Sequence, residues 1–515
     1  MADSRTKHSI RNIGVGMVNR IVSIIFPFVV RTVFIRALGE EYLGLNSLFS
    51  SILQVLNLAD LGFAGAIVAS MYKPIATKDT VTVSALLNLY RKLYKIIGTV
   101  ILAVGLALTP FIDILIKGDP PKGVNIYILW IMYLANTAVS YLFFAYKVSL
   151  INAHQRNDIT ELIGAVCRII FSILQMIVVV VYKNLYFYVL LTVVNSIAYN
   201  IWCSYICDKL YPQYSCSGEL DDEIKKGITK NVGALAIQKI GDTVSVSLDS
   251  TVISAFLGLS VVAIYGNYYY IVSAIAIFTS LIYSAITASV GNSIAIETRQ
   301  KNLDDLKKFF YLNAWLIGWC SVCFICIFQD FMIVWMGEKL LFSFEIVVLL
   351  VVRFYSEQIR KVVLTYKDAA GMWWADKWKP LVGCVVNLIL NVLLVKTIGV
   401  AGVMISTIIS YALIEMPWET HVLFKFYFLE GEKKYYIEMI QATVSALIAG
   451  AVTFGVCSLI EVNHILAIII KFFVCVLVFN AIFMILNCKN PYFISGFRFV
   501  KSIVGRINEK RKIKS

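Results

Sequence analysis

Charged side chains stand inside stretches of this sequence that are otherwise apolar, and their spacing limits what they can do. Arg20 and Arg31 lie 11 residues apart. That is three helical turns, so in a helix they share one face, with Pro27 between them. Asp60 stands in the next apolar stretch and is a natural ion-pair partner for either arginine. Lys239, Asp242 and Asp249 follow at spacings of 3 and 7, with Ser245 between the carboxylates; this is again one helical face. Arg168, the i, i+4 pair Arg353 and Glu357, Glu415 shortly before Pro417, and Lys471 complete the set. An ionised side chain in hydrocarbon costs roughly 2.5–3.5 kcal/mol, so it lines a wet cavity, pairs with an opposite charge or reaches to the interface. Arg31, Arg168 and the Lys239–Asp249 face are assigned to a cavity. For Arg20 the choice is cavity or snorkelling; for Asp60 it is cavity or an ion pair between helices; for Arg353 it is cavity or a pair with Glu357 on its own helix; Glu415 beside Pro417 is a cavity candidate at a broken-helix position; Lys471 reads as snorkelling. Arginine matches phosphate geometry through paired donors, so a diphosphate is the fitting ligand and a small organic cation fits worse.

Elements that place such residues must be membrane helices. The chain has 515 residues, 59% hydrophobic and 15% charged, whereas a soluble domain is about 45–50% apolar and about 25% charged. A span takes about 20 mostly apolar residues. Apolar runs predict an all-α integral membrane protein of about fourteen helices, over 12–37, 42–70, 92–116, 124–151, 159–182, 185–208, 228–257, 260–290, 306–336, 341–366, 378–397, 399–425, 435–459 and 464–487. Lys and Arg gather in alternate connections, among them Lys73, Lys78, Arg156, Lys225, Lys226, Lys307, Lys308, Lys367 and Lys433. That bias places both termini in the cytoplasm. It also accounts for the net charge of +14 without nucleic acid. The basic run Arg5–Arg11 leads into an apolar helix with no small-residue cleavage site, so the first helix is expected to remain as an anchor. Residues 492–512 interleave Phe493, Phe497 and Val500 with Arg498, Lys501 and Arg506, the pattern of an amphipathic helix on an anionic leaflet.

Catalytic and metal motifs are not found. Cys320, Cys323 and Cys326 form C-x2-C-x2-C in mid-span with no histidine or carboxylate among them, and read as core cysteines. His8, His154, His421 and His464 match no ligand spacing. No enzyme activity, cofactor or metal is expected.

Short matches recur at one offset. Phe144-Ala145-Tyr146-Lys147 answers to Leu364-Thr365-Tyr366-Lys367 at 220 residues, and Leu43-Gly44-Leu45-Asn46 to Ile264-Tyr265-Gly266-Asn267 at 221. Six helices per repeat is an even number, so the halves form a parallel repeat. The expected organisation is a six-helix lobe over 1–209, a cytoplasmic linker over 210–227 and a second six-helix lobe over 228–427. An extra helix pair over 428–487 and a basic tail over 488–515 follow. Two such lobes sharing a midplane cavity are the anatomy of an alternating-access transporter.

The segment Arg31-Thr-Val-Phe-Ile-Arg-Ala-Leu-Gly39, then Tyr42-Leu-Gly-Leu-Asn46, Leu58-Ala-Asp-Leu-Gly62, Tyr72-Lys-Pro-Ile-Ala76 and Asn88-Leu-Tyr-Arg-Lys-Leu-Tyr94 resembles bacterial capsule/O-antigen repeat-unit flippases. These belong to the multidrug/oligosaccharidyl-lipid/polysaccharide exporter superfamily. The resemblance in motif covers residues 10–120; in topology it covers the whole chain. It implies a lipid-linked oligosaccharide substrate, carried on a polyprenyl diphosphate from the inner to the outer leaflet of the bacterial cell membrane. Arg31 and Asp60 match the family pattern by position. Implied partners are membrane lipids, a polysaccharide polymerase and glycosyltransferases, with H+ or Na+ as a coupling ion. Related alternatives are a multidrug extruder and a peptidoglycan-precursor flippase; a membrane polymerase is more distant, because the outer connections are short.

Overall fold

The computed structural model describes residues 2–512 apart from 58–67, 69, 119, 221–246 and 373. Asp60, Lys239, Asp242 and Ser245 therefore lie outside the described residues. All regular structure among the described residues is helical. In order, the helices are α1 Ala2–Leu38, α2 Glu40–Leu56, α3 Thr80–Leu108, α4 Ile126–Leu142, α5 Ala145–Ala153, α6 Asn157–Tyr182 and α7 Leu185–Leu210. Then come α8 Ser247–Leu257, α9 Leu259–Ile296, α10 Arg299–Met336, α11 Phe344–Ile359, α12 Lys361–Ala369 and α13 Lys379–Ile398. The last four are α14 Val400–Phe428, α15 Lys433–Ser458, α16 His464–Asn487 and α17 Pro491–Lys512.

Among the described residues, 10 helices are long and apolar enough to cross a membrane, or 11 with α4 and α5 taken as one span bent by 45°. The chain is a multi-pass membrane protein. Each of these helices overlaps one of the fourteen expected spans. Of the remainder, 42–70 and 228–257 run through residues that are not described. The third, 341–366, is divided at Arg360 into α11 and α12.

Local chemistry sets the ends. Side chains of Asp79, Asn125, Asn184, Thr298 and Asn463 accept backbone N–H groups at the starts of α3, α4, α7, α10 and α16. Each satisfies donors that a helix leaves free at its first turn. Gly39 (φ 102°) turns α1 into α2, and Gly258 (φ 99°) turns α8 into α9. Both conformations are open chiefly to glycine. They lie 219 residues apart, close to the spacing of the sequence repeat. The two interrupted spans match as well, since α5 and α12 are both nine residues long and follow a break.

By compactness the chain divides into Met1–Asn267 and Tyr268–Ser515. The boundary falls inside α9, because the first turns of that helix pack on α1 and α2. A Cβ on Gly44 would sit 2.0 Å from the carbonyl oxygen of Leu259, and one on Gly266 would sit 2.7 Å from the Arg31 guanidinium. The matched motifs around Gly44 and Gly266 are thus places of close helix approach, the use of small residues expected where helices associate within lipid.

In the second unit, α17 is docked along α10. Phe493 is buried, Phe499 meets Phe309 edge to face, and Gly496 lets α17 approach Leu312. The expected amphipathic helix therefore spends its first turns on protein.

Candidate functional site

In the first unit, α1 packs lengthwise on α6. Asn19 donates to Glu161 across the pair. Glu161, Arg168 and Gln175 follow at spacings of 7, so they form one stripe on α6. Gln175 donates to Thr192 of α7 at 2.9 Å. Arg168 stands in the middle of this stripe and of the span. It is half-buried, its Nε is buried without an acceptor, and it has no ion-pair partner among the described residues. A mid-span cation left in that state is a candidate functional position.

Arg31 lies near the other end of α1. Its Nε donates to Asn267 Oδ1, and a terminal nitrogen lies 3.5 Å from the carbonyl of Ala263. Gly266 makes the room for it. The partner motif in α2 is used similarly, with Asn46 accepting from Tyr133. Arg20, by contrast, is exposed on α1. Asp249 of α8 is fully buried at 0% exposure. The structure thus describes Arg20, Arg31 and Arg168 in the first unit, with Arg31 and Arg168 half-buried and Arg20 on the surface.

At one end of this unit a 270 Å³ pocket is lined by Arg91, Lys147, Asp208, Tyr146, Tyr211 and Tyr214, among others. Lys147 holds Asp208 at 2.5 Å. His154 stacks on Tyr211 with ring centres 4.0 Å apart. Burial lowers the His154 pKa and raises that of Tyr211, because desolvation disfavours each charged form.

The second unit treats its charges differently. Arg353 is 2% exposed and lies 5.2 Å over the ring of Tyr269. Glu415 is 3% exposed and accepts from Arg360. Lys379 reaches Glu419 at 2.5 Å and Glu415 at 3.6 Å, and Arg360 lies 3.6 Å from Glu419. Beside this tetrad the fully buried pair Lys367 and Asp376 closes on itself. Glu415 thus belongs to a dry, internally neutralised cluster. Lys471, read as snorkelling, is held by Asp330 at 2.6 Å.

The cluster caps a polar seam between α13 and α14. Asn391 accepts from Ser406, Asn387 donates to Thr407 at 3.0 Å, and Ser410 donates to the Gly383 carbonyl at 3.0 Å. Lys379, Gly383, Asn387 and Asn391 recur every fourth residue, the row that faces a neighbouring helix. That period was present in the sequence and marks the seam. Glu161 and Gln175, which continue the Arg168 stripe, were also there to be found. An apolar pocket of 720 Å³ elsewhere in this unit is lined by α10, α11 and α15, with Ser321, Tyr355, Ser356 and Thr443 as its polar side chains.

Comparison with known proteins agrees with this anatomy. The chain resembles the probable low-salt glycan biosynthesis flippase Agl15 of Haloferax volcanii at 22% identity over 272 residues, covering 51% of this chain and 57% of that protein. The match thus spans little more than half of the relative's length. In fold it resembles the lipid II flippase MurJ in an inward closed conformation (TM-score 0.65, 14% identity, 94% of this chain and 99% of that one). An inward-facing multidrug resistance transporter of the MATE family is similar at TM-score 0.57 and 14% identity, over 80% of this chain and 97% of that one. The model of the polysaccharide biosynthesis protein family matches residues 9–288, more than half of the sequence and all of the first unit from residue 9, and this multi-pass membrane chain belongs to that family.

Proposed function

We propose that this protein is a transporter rather than an enzyme. It moves polyprenyl-diphosphate-linked oligosaccharide repeat units from the inner to the outer leaflet of a bacterial cytoplasmic membrane, for assembly into polysaccharide. The observation that carries this reading is Arg168, a cation at mid-span with no counter-charge among the described residues. A diphosphate supplies the missing charge and accepts paired guanidinium donors. Arg31, matched to the family pattern, joins it as a second contact, and Arg20 serves nearer the chain terminus. Asp60, Lys239, Asp242 and Asp249 temper the positive field of a cavity shared by the two six-helix lobes. Arg353 and Glu415 take part through the second lobe, Glu415 by fixing the inner end of α14. Alternating access follows, with the lobes rocking about the bound headgroup. The apolar pocket of the second unit offers a chain of prenyl units a lining without charge. Glycosyltransferases supply the substrate, a polymerase consumes it, and H+ or Na+ couples the cycle.

Support comes from family membership, from the likeness in fold to transporters and from the mid-span arginines. The test uses proteoliposomes loaded with fluorescent polyprenyl-diphosphate oligosaccharide. The expected result is leaflet exchange, read by a membrane-impermeant quencher, with the lipid chemically unchanged. Covalent change of the lipid, or no exchange above protein-free vesicles, overturns the reading.

A further inference from the structure

In the second unit, three helices bring thiols to one point. Cys326 of α10, Cys457 of α15 and Cys475 of α16 have sulfur atoms all within 4.8 Å of one another. They are 7%, 1% and 0% exposed. Cys323, one turn before Cys326, brings its thiol beside that of Cys475. All four are free thiols. Two of them come from the C-x2-C-x2-C run, whose partners on α15 and α16 lie more than 120 residues further on.

We propose that Cys326, Cys457 and Cys475, with Cys323 as the fourth ligand, bind one soft d10 metal ion, zinc(II) or copper(I). Thiolate ligands select such ions over hard cations. A tetrahedral zinc site with Zn–S near 2.3 Å puts its sulfurs roughly 3.8 Å apart. Among Cys326, Cys457 and Cys475 the observed separations need a contraction of no more than about 1 Å, within reach of side-chain rotation. When zinc(II) binds, each ligating thiol releases its proton to solvent and coordinates as a thiolate; with copper(I) the ligating thiols do the same. Convergence of three sulfurs, with the Cys323 thiol beside one of them, also separates this arrangement from a disulfide, which uses two.

One turn away, Asp330 follows Cys326 by four residues, and Lys471 precedes Cys475 by four. Asp330 binds Lys471 at 2.6 Å and the half-exposed His464 at 2.7 Å, which ties α10 to α16 beside the thiols. Once bound, the ion clasps α15 and α16, the pair outside the sequence repeat, onto α10.

The test uses the full-length protein in detergent, reduced, then loaded with zinc(II), or with cobalt(II) as a spectroscopic substitute, and desalted. The expected result is about one zinc per chain, with a thiolate-to-cobalt charge-transfer band and tetrahedral cobalt absorption. Cys475→Ser and Cys326→Ser lose both, while Cys488→Ser keeps them. Copper(I) is scored by competition with a chelator. Where a serine variant elutes aggregated, alkylation of the wild type decides: bound zinc slows labelling of Cys326, Cys457 and Cys475 and leaves Cys216 unchanged. Zinc content equal in wild type and Cys475→Ser, equal labelling with and without zinc, or a disulfide between two of the four in unreduced protein each overturns the proposal.

Discussion

A lysine meets a carboxylate at matching points of the two units, with opposite results. In the first, Lys147 holds Asp208, whose side chain is 64% exposed, at the edge of a 270 Å³ pocket. In the second, Lys367 and Asp376 are both fully buried, next to a tetrad of two more cations and two more carboxylates. That end of the second unit neutralises its own charge. The first keeps charge at a wet pocket and, deeper, in a mid-span arginine without a counter-ion among the described residues. The two units thus treat similar charges differently: one neutralises them in a buried cluster, the other leaves a mid-span arginine without a counter-charge among the described residues.

Removing one partner of each lysine pair tests that contrast most strongly. Leaving a buried charge alone costs about 3–5 kcal/mol, so Lys367→Ala should unfold at markedly lower temperature in detergent. An exposed pair contributes about 0–1 kcal/mol, so Lys147→Ala should melt close to wild type. Equal losses would break the comparison.

Next in size are the two glycines. A Cβ at Gly44 meets the Leu259 carbonyl, which is fixed backbone, whereas at Gly266 it meets the tip of Arg31. Overpacking costs about 1–3 kcal/mol, so Gly44→Ala should lose stability in that range. Gly266→Ala should fold like wild type, because the guanidinium can rotate aside, but should slow leaflet exchange by displacing Arg31. A Gly266→Ala variant with full exchange would separate Arg31 from the site.

The smallest effect is titration of His154. Its pKa is lowered by burial, so the folded chain binds this proton less readily than the unfolded one. Stability is therefore whole above the ordinary histidine pKa of about 6.5. It falls as pH drops from there to the folded-state pKa, and levels off below it. His154→Phe, which keeps a ring against Tyr211, should flatten that part of the melting-temperature profile; an unchanged profile would remove His154 as its source.

The sequence made the all-helical, multi-pass membrane architecture legible because spans are long, uniform apolar runs. It also exposed Arg31 and Arg168, since a charge in such a run stands out. What each charge does was harder to read, because partners come from other helices. Glu415, a cavity candidate beside Pro417, pairs with Arg360, a residue more than 50 positions earlier where 341–366 divides into two helices. Motifs around Gly44 and Gly266 were visible as a repeat, while their physical reason, contact with Leu259 and Arg31, exists only in the packed chain. The grouping of Cys326 with Cys457 and Cys475 was hidden for the same reason, since those partners are remote in sequence.

The most direct test of the account is diphosphate recognition by Arg168. Binding of a polyprenyl-diphosphate oligosaccharide to purified protein should be measured for wild type, Arg168→Gln and Arg168→Lys, alongside a polyprenyl alcohol that lacks phosphate. A charge-assisted contact is worth about 1.5–3 kcal/mol. The account predicts that Arg168→Gln binds about tenfold more weakly or worse, that Arg168→Lys keeps part of the affinity, and that the alcohol binds all three alike. Wild-type affinity in a well-folded Arg168→Gln variant would contradict it.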